Sequence, residues 1–345
     1  MKITSTVSLS LLLALILYSC NGPAERNIAS DNILWLKNDP IVLGILPDVG
    51  GRLVYFGVDR DHNFLKSDST LWNEADSQRI QAALDAPWKA YNGHIAWLGP
   101  QSSWWTQQEI DVKRKEEKAM WPPDPWLEYG QYDIIEESKS KIVLEGPLSP
   151  VSGIQFTKTY EIKNNSTVII KVLARNISQK QLAWDLWLNT RIEGRQKVYV
   201  PLSDMNDLAT WTEYSETTDT IDYEITDGYF SYLETGLSPT KKEAFSKAFI
   251  RPSEPWMATF QHGYCFIQEF EAYEDRLGHP EQAMVEIYTI QTSQGKADMT
   301  EMEYHGPFTK LLPGDSLSTT MTWRLIPLHG SEAGAAFLDS VSQNL

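Results

Sequence analysis

The chain has 345 residues and a formal net charge of −16, because 46 acidic side chains outnumber 30 basic ones. This charge excludes recognition of nucleic acid or anionic lipid through a broad basic surface, and it favours a neutral or weakly charged ligand. Cys20 lies in the N-terminal segment and Cys265 in an apolar stretch typical of a buried thiol, so no internal disulfide is expected.

The first element of the chain is an apolar run that follows a basic residue. Lys2 precedes Ser8–Tyr18, which is too short to span a bilayer because a span takes about 20 apolar residues. The pattern predicts a secretory signal peptide over residues 1–19. The ending Leu17-Tyr18-Ser19-Cys20 resembles a bacterial lipobox, which implies cleavage before Cys20 and its lipidation. An ordinary signal peptide with a chance cysteine is the alternative.

The signal peptide sets the expected domain organisation. Residues 20–32 are predicted to be a lipidated polar tether and residues 33–345 a single domain. Several acyl chains on one cysteine give stable anchoring. We therefore expect the mature protein to be held by its lipid in the bacterial cell envelope, on the periplasmic side or at the outer membrane.

A turn with two glycines comes next, at the mouth of an alternating strand. Gly50 and Gly51 suit a tight turn because glycine tolerates positive φ. Arg52 is the first polar side chain after them, so the turn can present it. Arg52 could donate hydrogen bonds to a sugar hydroxyl or a carboxylate, or it could form a structural ion pair with Asp48 or Asp59.

Most of the remaining chain reads as short alternating strands separated by turn residues. These runs are rich in Val, Ile, Thr, Tyr, Phe and Trp, which favour strands. The pattern predicts an all-β protein, a large antiparallel β-sandwich with few short helices. The predicted strands are Ile41–Leu46, Arg52–Val58, Lys141–Glu145, Ile154–Ile162, Thr167–Arg175, Leu182–Thr190, Gly228–Leu233, Trp256–Phe260, Tyr264–Phe270, Met284–Ile290, Met299–Tyr304 and Ser316–Leu325.

Helix signals are few. Glu74–Leu84 is predicted to form a helix, and Ser331 is predicted to cap a C-terminal helix that runs through Val341. Gln107–Lys118 is charged on all sides and is predicted to be a solvated helix or loop.

The 13 tryptophans are the second compositional signal. Several lie outside the predicted strands, where they could stack on sugar rings or pack loops onto a sheet. Both readings stay open for Trp88, Trp97, Trp104, Trp105, Trp121 and Trp126.

Two glutamates mark the last part of the chain. Glu301 and Glu303 are two residues apart on a predicted strand, so both point to one face while Met302 and Tyr304 point to the other. Two neighbouring carboxylates raise each other's pKa, which suits general base catalysis; a solvated strand edge is the alternative. Glu286 lies between apolar neighbours and is expected on the same face. Glu274, Asp275 and His279 do not have the spacing of a metal site, so no metal or other cofactor is expected.

Four segments resemble, in order, the galactose mutarotase-like (aldose 1-epimerase-like) superfamily, most closely the uncharacterised bacterial lipoproteins within it. The resemblance covers about residues 35–328. Its motifs are Gly50-Gly51-Arg52-Leu53 with Asn63-Phe64-Leu65, Tyr91–Gln101, Ile154–Trp187, and Glu301–Pro307 with Leu312-Pro313-Gly314-Asp315.

The resemblance implies a β-supersandwich that holds a carbohydrate on a concave face. Mutarotation needs a base at the anomeric hydroxyl and an acid at the ring oxygen. The resemblance makes His94 the candidate acid, and Glu303, or else Glu301, the candidate base; a satisfied loop histidine is the alternative for His94. The central strand, Trp184–Arg191, lacks the histidine usual in mutarotases. The expected ligand-binding residues are Arg52, Trp97, Gln101, Trp187, Asn189 and Glu286.

These observations favour a lipid-anchored carbohydrate-binding protein. The alternative is an aldose 1-epimerase-type enzyme with a Glu base and a His acid. A glycan lyase or hydrolase, and a purely structural envelope lipoprotein, are further alternatives.

Overall fold

The structure, a computed structural model, describes residues 32–74, 78–194, 196–213, 222–232, 243–292, 298–343 and 345. The predicted signal peptide and almost all of the tether, Cys20 included, lie outside these ranges. Among the described residues, no helix has the length and apolar character needed to span a membrane.

Within the described ranges, the strands form two antiparallel sheets of ten strands each. In chain order they are β1 Leu34–Asn38, β2 Ile41–Leu46, β3 Arg52–Gly57, β4 His94–Gly99, β5 Asp133–Glu137, β6 Lys141–Glu145, β7 Ile154–Ile162, β8 Thr167–Asn176, β9 Leu182–Glu193, β10 Val198–Pro201, β11 Leu208–Glu213, β12 Tyr223–Thr226, β13 Tyr229–Tyr232, β14 Glu243–Ile250, β15 Trp256–Gln261, β16 Tyr264–Phe270, β17 Val285–Thr292, β18 Met299–His305, β19 Thr309–Leu311 and β20 Ser316–Pro327.

The first sheet has the order β1-β2-β3-β4-β9-β18-β17-β14-β11, with β19 paired to β9. The second has the order β12-β13-β10-β15-β16-β20-β8-β7-β6-β5. Apolar side chains from one face of each sheet meet in a shared core, which includes Leu188 and Tyr304 from the first sheet and Ile170 and Trp323 from the second. The predicted all-β antiparallel sandwich is confirmed.

The twelve predicted strands are all present, with ends shifted by a few residues. The last residue of predicted Gly228–Leu233 lies outside the described ranges. Alternation of apolar and polar residues predicts strands such as β7, in which buried and half-buried residues alternate without a break. The strands that the sequence did not predict are β1, β4, β5, β10, β11, β12, β14 and β19.

The helices differ from the prediction at two places. The described residues of Glu74–Leu84 form turns and irregular structure, so the helix predicted there is wrong. Glu74 instead holds this segment by accepting hydrogen bonds from Lys89 Nζ (2.7 Å) and the Tyr91 hydroxyl (2.7 Å). The described residues contain three α-helices, α1 Val112–Glu117, α2 Pro125–Tyr129 and α3 Ala335–Ser342.

The charged Gln107–Lys118 segment contains α1, and the predicted C-terminal helix is α3. The N-cap of α3 is Gly334, whereas the predicted cap Ser331 lies three residues earlier, in a turn closed by its N–H on the Leu328 carbonyl.

Candidate functional site

Strand register gathers charged residues on the face of the first sheet that points away from the second. Across β9 and β18, Glu303 pairs with Asn189 and Glu301 with Arg191, and Glu286 of β17 pairs with Glu303. Side chains alternate along each strand, so these groups share one face. We call this set of side chains the polar face; its members are Asp185, Asn189, Arg191, Lys247, Glu286, Glu301, Glu303 and His305.

The two predicted glutamates are held by partners from the neighbouring strands. Asn189 Nδ2 donates to Glu301 Oε2 (2.8 Å) and to Glu303 Oε1 (3.0 Å). Arg191 Nε donates to Glu301 Oε1 at 2.7 Å. Lys247 Nζ lies 2.5 Å from Glu286 Oε2 and 2.8 Å from Glu303 Oε2. Glu301 and Glu303 therefore belong to a buried ionic network and not to a solvated edge.

A histidine outside the predicted set completes the network. His305 Nδ1 lies 3.3 Å from Asp185 Oδ1, and its Nε2 lies 3.5 Å from Glu286 Oε2. Burial alone would lower the pKa of His305, but the two carboxylates outweigh it and raise the pKa to about 9. The signal in the sequence is spacing, because His305 follows Glu303 by two residues and continues the same strand face.

The pKa values separate the carboxyl groups into two kinds. Burial, reinforced by the Glu301 and Glu286 charges, raises the pKa of Glu303 well above its ordinary value. Burial also opposes ionisation of Glu286, but Lys247 and His305 overcome it and lower the pKa of Glu286 to about 2. Burial raises the pKa of Asp185 as well, so burial favours the protonated form of Glu303 and of Asp185, while Glu286 remains ionised.

His94 is not part of the polar face, which corrects its assignment as the acid. It pairs in register with Thr190, so it points to the face opposite Asn189, towards the second sheet. Its Nδ1 lies 2.9 Å from Thr190 Oγ1, and its ring meets the edge of Trp323 at 4.9 Å. Burial, with the Lys158 charge, lowers the pKa of His94 to about 3, so it is a neutral core histidine.

Trp97 and Trp187 are buried, which corrects their assignment as stacking platforms. Trp104 stacks on Trp187 at 5.8 Å, and His305 lies against Trp187 at 4.9 Å. Trp97 contacts both other indoles edge-on and has the Arg191 guanidinium 5.2 Å from its ring. These rings pack the loop after β4 onto the sheet.

Arg52 and Gln101 have structural partners. Arg52 is fully buried and pairs with Glu128 of α2 at 2.5 Å, instead of with Asp48 or Asp59. Glu128 also accepts a hydrogen bond from Trp97 Nε1 at 2.7 Å. Gln101 Nε2 donates to the Met120 carbonyl at 2.8 Å. Arg52 fastens α2 to the sheet and is not accessible to a ligand as predicted, whereas Gln101 is half-buried and ties two loops together.

Five buried side-chain atoms of the polar face and of Trp187 make no hydrogen bond to other described residues. Two of them, Glu303 Oε2 and His305 Nε2, lie at ion-pair distance from Lys247 and Glu286. The other three are Asp185 Oδ2, Asn189 Oδ1 and Trp187 Nε1, two acceptors and one donor. Buried polar atoms nearly always have a partner. All three lie on the same side of the first sheet as the polar face.

The same face contains the one group of side chains, among the described residues, with the mutual distances of metal ligands. Atoms of Glu286, Glu303 and His305 all lie within 4.8 Å of one another. The Lys247 ammonium already contacts both of these carboxylates. The Lys247 side chain therefore supplies the positive charge that a bound metal ion would bring to these carboxylates.

The family described as Domain of unknown function (DUF4380) matches residues 32–326. No curated protein matches the sequence. The structure is similar to a galactose mutarotase-like protein from Clostridium acetobutylicum, with 10% identity, 86% of this chain and 95% of that chain covered, and a TM-score of 0.52. It is also similar to the Slr1438 protein from Synechocystis sp. PCC 6803, with 12% identity, 88% and 97% covered, and a TM-score of 0.53. The predicted galactose mutarotase-like fold is confirmed, and kinship to lipoproteins stays a prediction.

Proposed function

We propose that this chain, which belongs to the family described as Domain of unknown function (DUF4380), binds a neutral carbohydrate on the polar face. The observation that carries the proposal is the matching of charge on that face. Lys247 pairs with Glu286, Arg191 with Glu301 and His305 with Asp185. Burial raises the pKa of Glu303 well above its ordinary value, which favours its protonated form. Among the described residues of the polar face, each cation has a carboxylate partner, so none is left over for an anionic ligand.

The unpartnered atoms support the same class of ligand. A sugar hydroxyl both donates and accepts hydrogen bonds. It can therefore donate to Asp185 Oδ2 or Asn189 Oδ1, and a second hydroxyl can accept from Trp187 Nε1. A purely apolar ligand would leave all three atoms unsatisfied, which is costly in a buried site.

The proposal is tested by thermal shift with neutral monosaccharides and with the matching uronic acids. A neutral sugar at 100 times its Kd is expected to add about 2.7 kcal/mol to the free energy of unfolding. Uronic acids are expected to give no shift. Trp187→Phe keeps the ring but loses the N–H, so it should weaken sugar binding about fivefold, the value of one net hydrogen bond.

Trp323→Phe is the matched control. Its indole nitrogen is also buried and unpartnered, but it lies in the core between the sheets. This variant should bind the sugar as the unsubstituted protein does. Stabilisation by uronic acids but not by neutral sugars would contradict the proposal.

An aldose 1-epimerase-type activity is the second candidate, and the pairing of Glu303 with His305 favours it. Atoms of the two side chains lie within 4.8 Å of each other. His305, whose pKa is raised to about 9, can donate its proton to the ring oxygen, while the ionised form of Glu303, which lies 2.8 Å from the Lys247 ammonium, takes the proton of the anomeric hydroxyl. His305 takes the acid role first expected of His94. NMR measurement of the exchange between anomers tests this activity, because Glu303→Gln should keep sugar binding and lose the exchange.

No contact among the described residues favours a glycan lyase or hydrolase over these two functions.

The predicted lipid anchor supports a place for this binding activity in the cell envelope. The lipobox-like Leu17-Tyr18-Ser19-Cys20 implies acylation of Cys20. Cys20→Ser should therefore release the protein from the membrane fraction and abolish incorporation of labelled fatty acid in a bacterial host. Cys265→Ser is the control, because this thiol is buried in the fold and should leave fractionation unchanged. Labelling that persists in Cys20→Ser would contradict lipidation.

A further inference from the structure

Two tryptophans are exposed, although the described indoles near the polar face are otherwise mostly buried. Trp88 is 37% exposed and Trp121 is 49% exposed. Their ring centroids are 4.7 Å apart at an interplanar angle of 59°. Met120, next to Trp121 in the chain, is 53% exposed, so apolar side chains are exposed in this small patch. Exposed apolar patches next to a polar site commonly mark a binding surface.

The backbone on both sides of this indole pair is held in place. Gln101 Nε2 donates to the Met120 carbonyl (2.8 Å), and Trp105 Nε1 donates to the Pro122 carbonyl (2.6 Å), so Trp121 lies between two anchored residues. Beside Trp88, the Lys89 N–H donates to the Tyr129 hydroxyl at 3.0 Å. The exposed rings are thus presented by fixed segments, which lowers the entropy lost when a ligand binds them.

Arg191 joins the indole pair to the polar face. Its guanidinium carbon lies 5.9 Å from the Trp88 ring, and its Nε donates to Glu301 at 2.7 Å. One side chain therefore contacts both the aromatic patch and the carboxylate network. A ligand seated on the polar face and extended past Arg191 would meet Trp88 next.

We propose that Trp88 and Trp121 form a second subsite that stacks against the next sugar ring of the bound carbohydrate, so that the ligand is a neutral oligosaccharide. The inference rests on the proposed function. The patch is far smaller than the surface that a stable protein partner buries, which is about 800 Å² on each side. A pyranose presents C–H groups to an aromatic face, so an indole pair beside a hydrogen-bonding site suits a second ring of the same ligand.

The test is calorimetric titration with glucose, galactose and mannose and with the α1,4- and β1,4-linked di- and trisaccharides of each. At least one oligosaccharide should bind about tenfold more tightly than its monosaccharide, as expected for about 1.4 kcal/mol of additional stacking. Trp88→Ala and Trp121→Ala should remove this gain and leave monosaccharide affinity unchanged, while Trp121→Tyr should retain part of it. Leu312→Ala removes an equally exposed apolar side chain on the turn after β19 and should change neither affinity.

The outcomes separate the two proposals. Equal affinity for mono- and oligosaccharides, or an equal loss for both in the alanine variants, overturns the second subsite and leaves carbohydrate binding standing. Absence of binding by every neutral sugar overturns carbohydrate binding and the subsite with it. Thermal unfolding of each variant checks that these surface changes leave the fold intact.

Discussion

Lys247→Met is expected to lower the free energy of unfolding by about 3–5 kcal/mol at pH 7, the usual cost of removing one partner of a buried ion pair. The ammonium lies between Glu286 and Glu303, at 2.5 Å and 2.8 Å. Burial alone would lower the pKa of Lys247, but the two carboxylates outweigh it and raise the pKa above its ordinary value. Methionine keeps the apolar stem and leaves Glu286 with an insufficiently compensated charge. Urea unfolding measures the loss.

A surface lysine gives the matched control for this substitution. Lys197 Nζ lies 2.8 Å from Glu224 Oε1, but both side chains are nearly half exposed, so Lys197→Met should cost no more than about 1 kcal/mol. Adding Glu286→Gln to Lys247→Met should restore much of the lost stability, because it removes the stranded charge. Equal unfolding midpoints for the two lysine variants would show that the polar face is not held by Lys247.

His305→Gln is expected to cost stability that depends on pH. The pKa of His305 is about 9 in the folded protein and 6.5 without the fold. Because the folded value is the higher one, the stabilisation by protonated His305 is complete below about pH 6.5 and is lost as pH rises through about 9. Its size is up to about 3 kcal/mol, since one pKa unit corresponds to about 1.4 kcal/mol. The measurement is the difference in unfolding free energy between the unsubstituted protein and the variant from pH 6 to 10.

The comparison between the two proteins is needed because a second buried group changes the stability in the opposite direction as pH rises. Burial, with the Arg52 charge, lowers the pKa of Lys158 to about 7, so this residue makes the protein more stable as pH rises. Subtracting the two proteins removes its contribution. His62→Gln, at an exposed imidazole 3.0 Å from Asp59, is the surface control and should change the free energy of unfolding by no more than about 1 kcal/mol. A pH-independent difference for His305→Gln would contradict the charged His305 on which the proton-transfer mechanism depends.

The alternation of residues along a strand explains which parts of the site could be predicted from the sequence. The period of two placed Glu301 and Glu303 on one face, with Met302 and Tyr304 in the core, as the structure has them. The same period extended by one residue would have added His305, but the predicted strand stopped at Tyr304, before a Gly-Pro turn. β4 was not predicted, because its segment was interpreted as a loop, and His94 was placed in that loop; all six residues of β4 are in fact buried.

Contacts between residues far apart in the chain explain which partners and which burial could not be predicted from the sequence. Arg52 pairs with Glu128, 76 residues away, so nearby acidic residues were poor guides to its partner. Lys247 comes from β14, whose pairing with β17 brings it beside Glu286. Loop packing likewise buried Trp97 and Trp104 and left Trp88 and Trp121 exposed.

Local sequence patterns established the fold class, the strands with a buried and a solvated side, and the sharing of one face by the two glutamates. These properties follow from the two-residue repeat of a single strand, which is local. The tertiary structure decided which side of the sheet each residue occupies, which cation neutralises which carboxylate, and which indoles meet solvent. Those properties depend on strand order and on contacts between residues far apart in the chain, and the same contacts set burial and therefore the pKa values of Glu303 and His305.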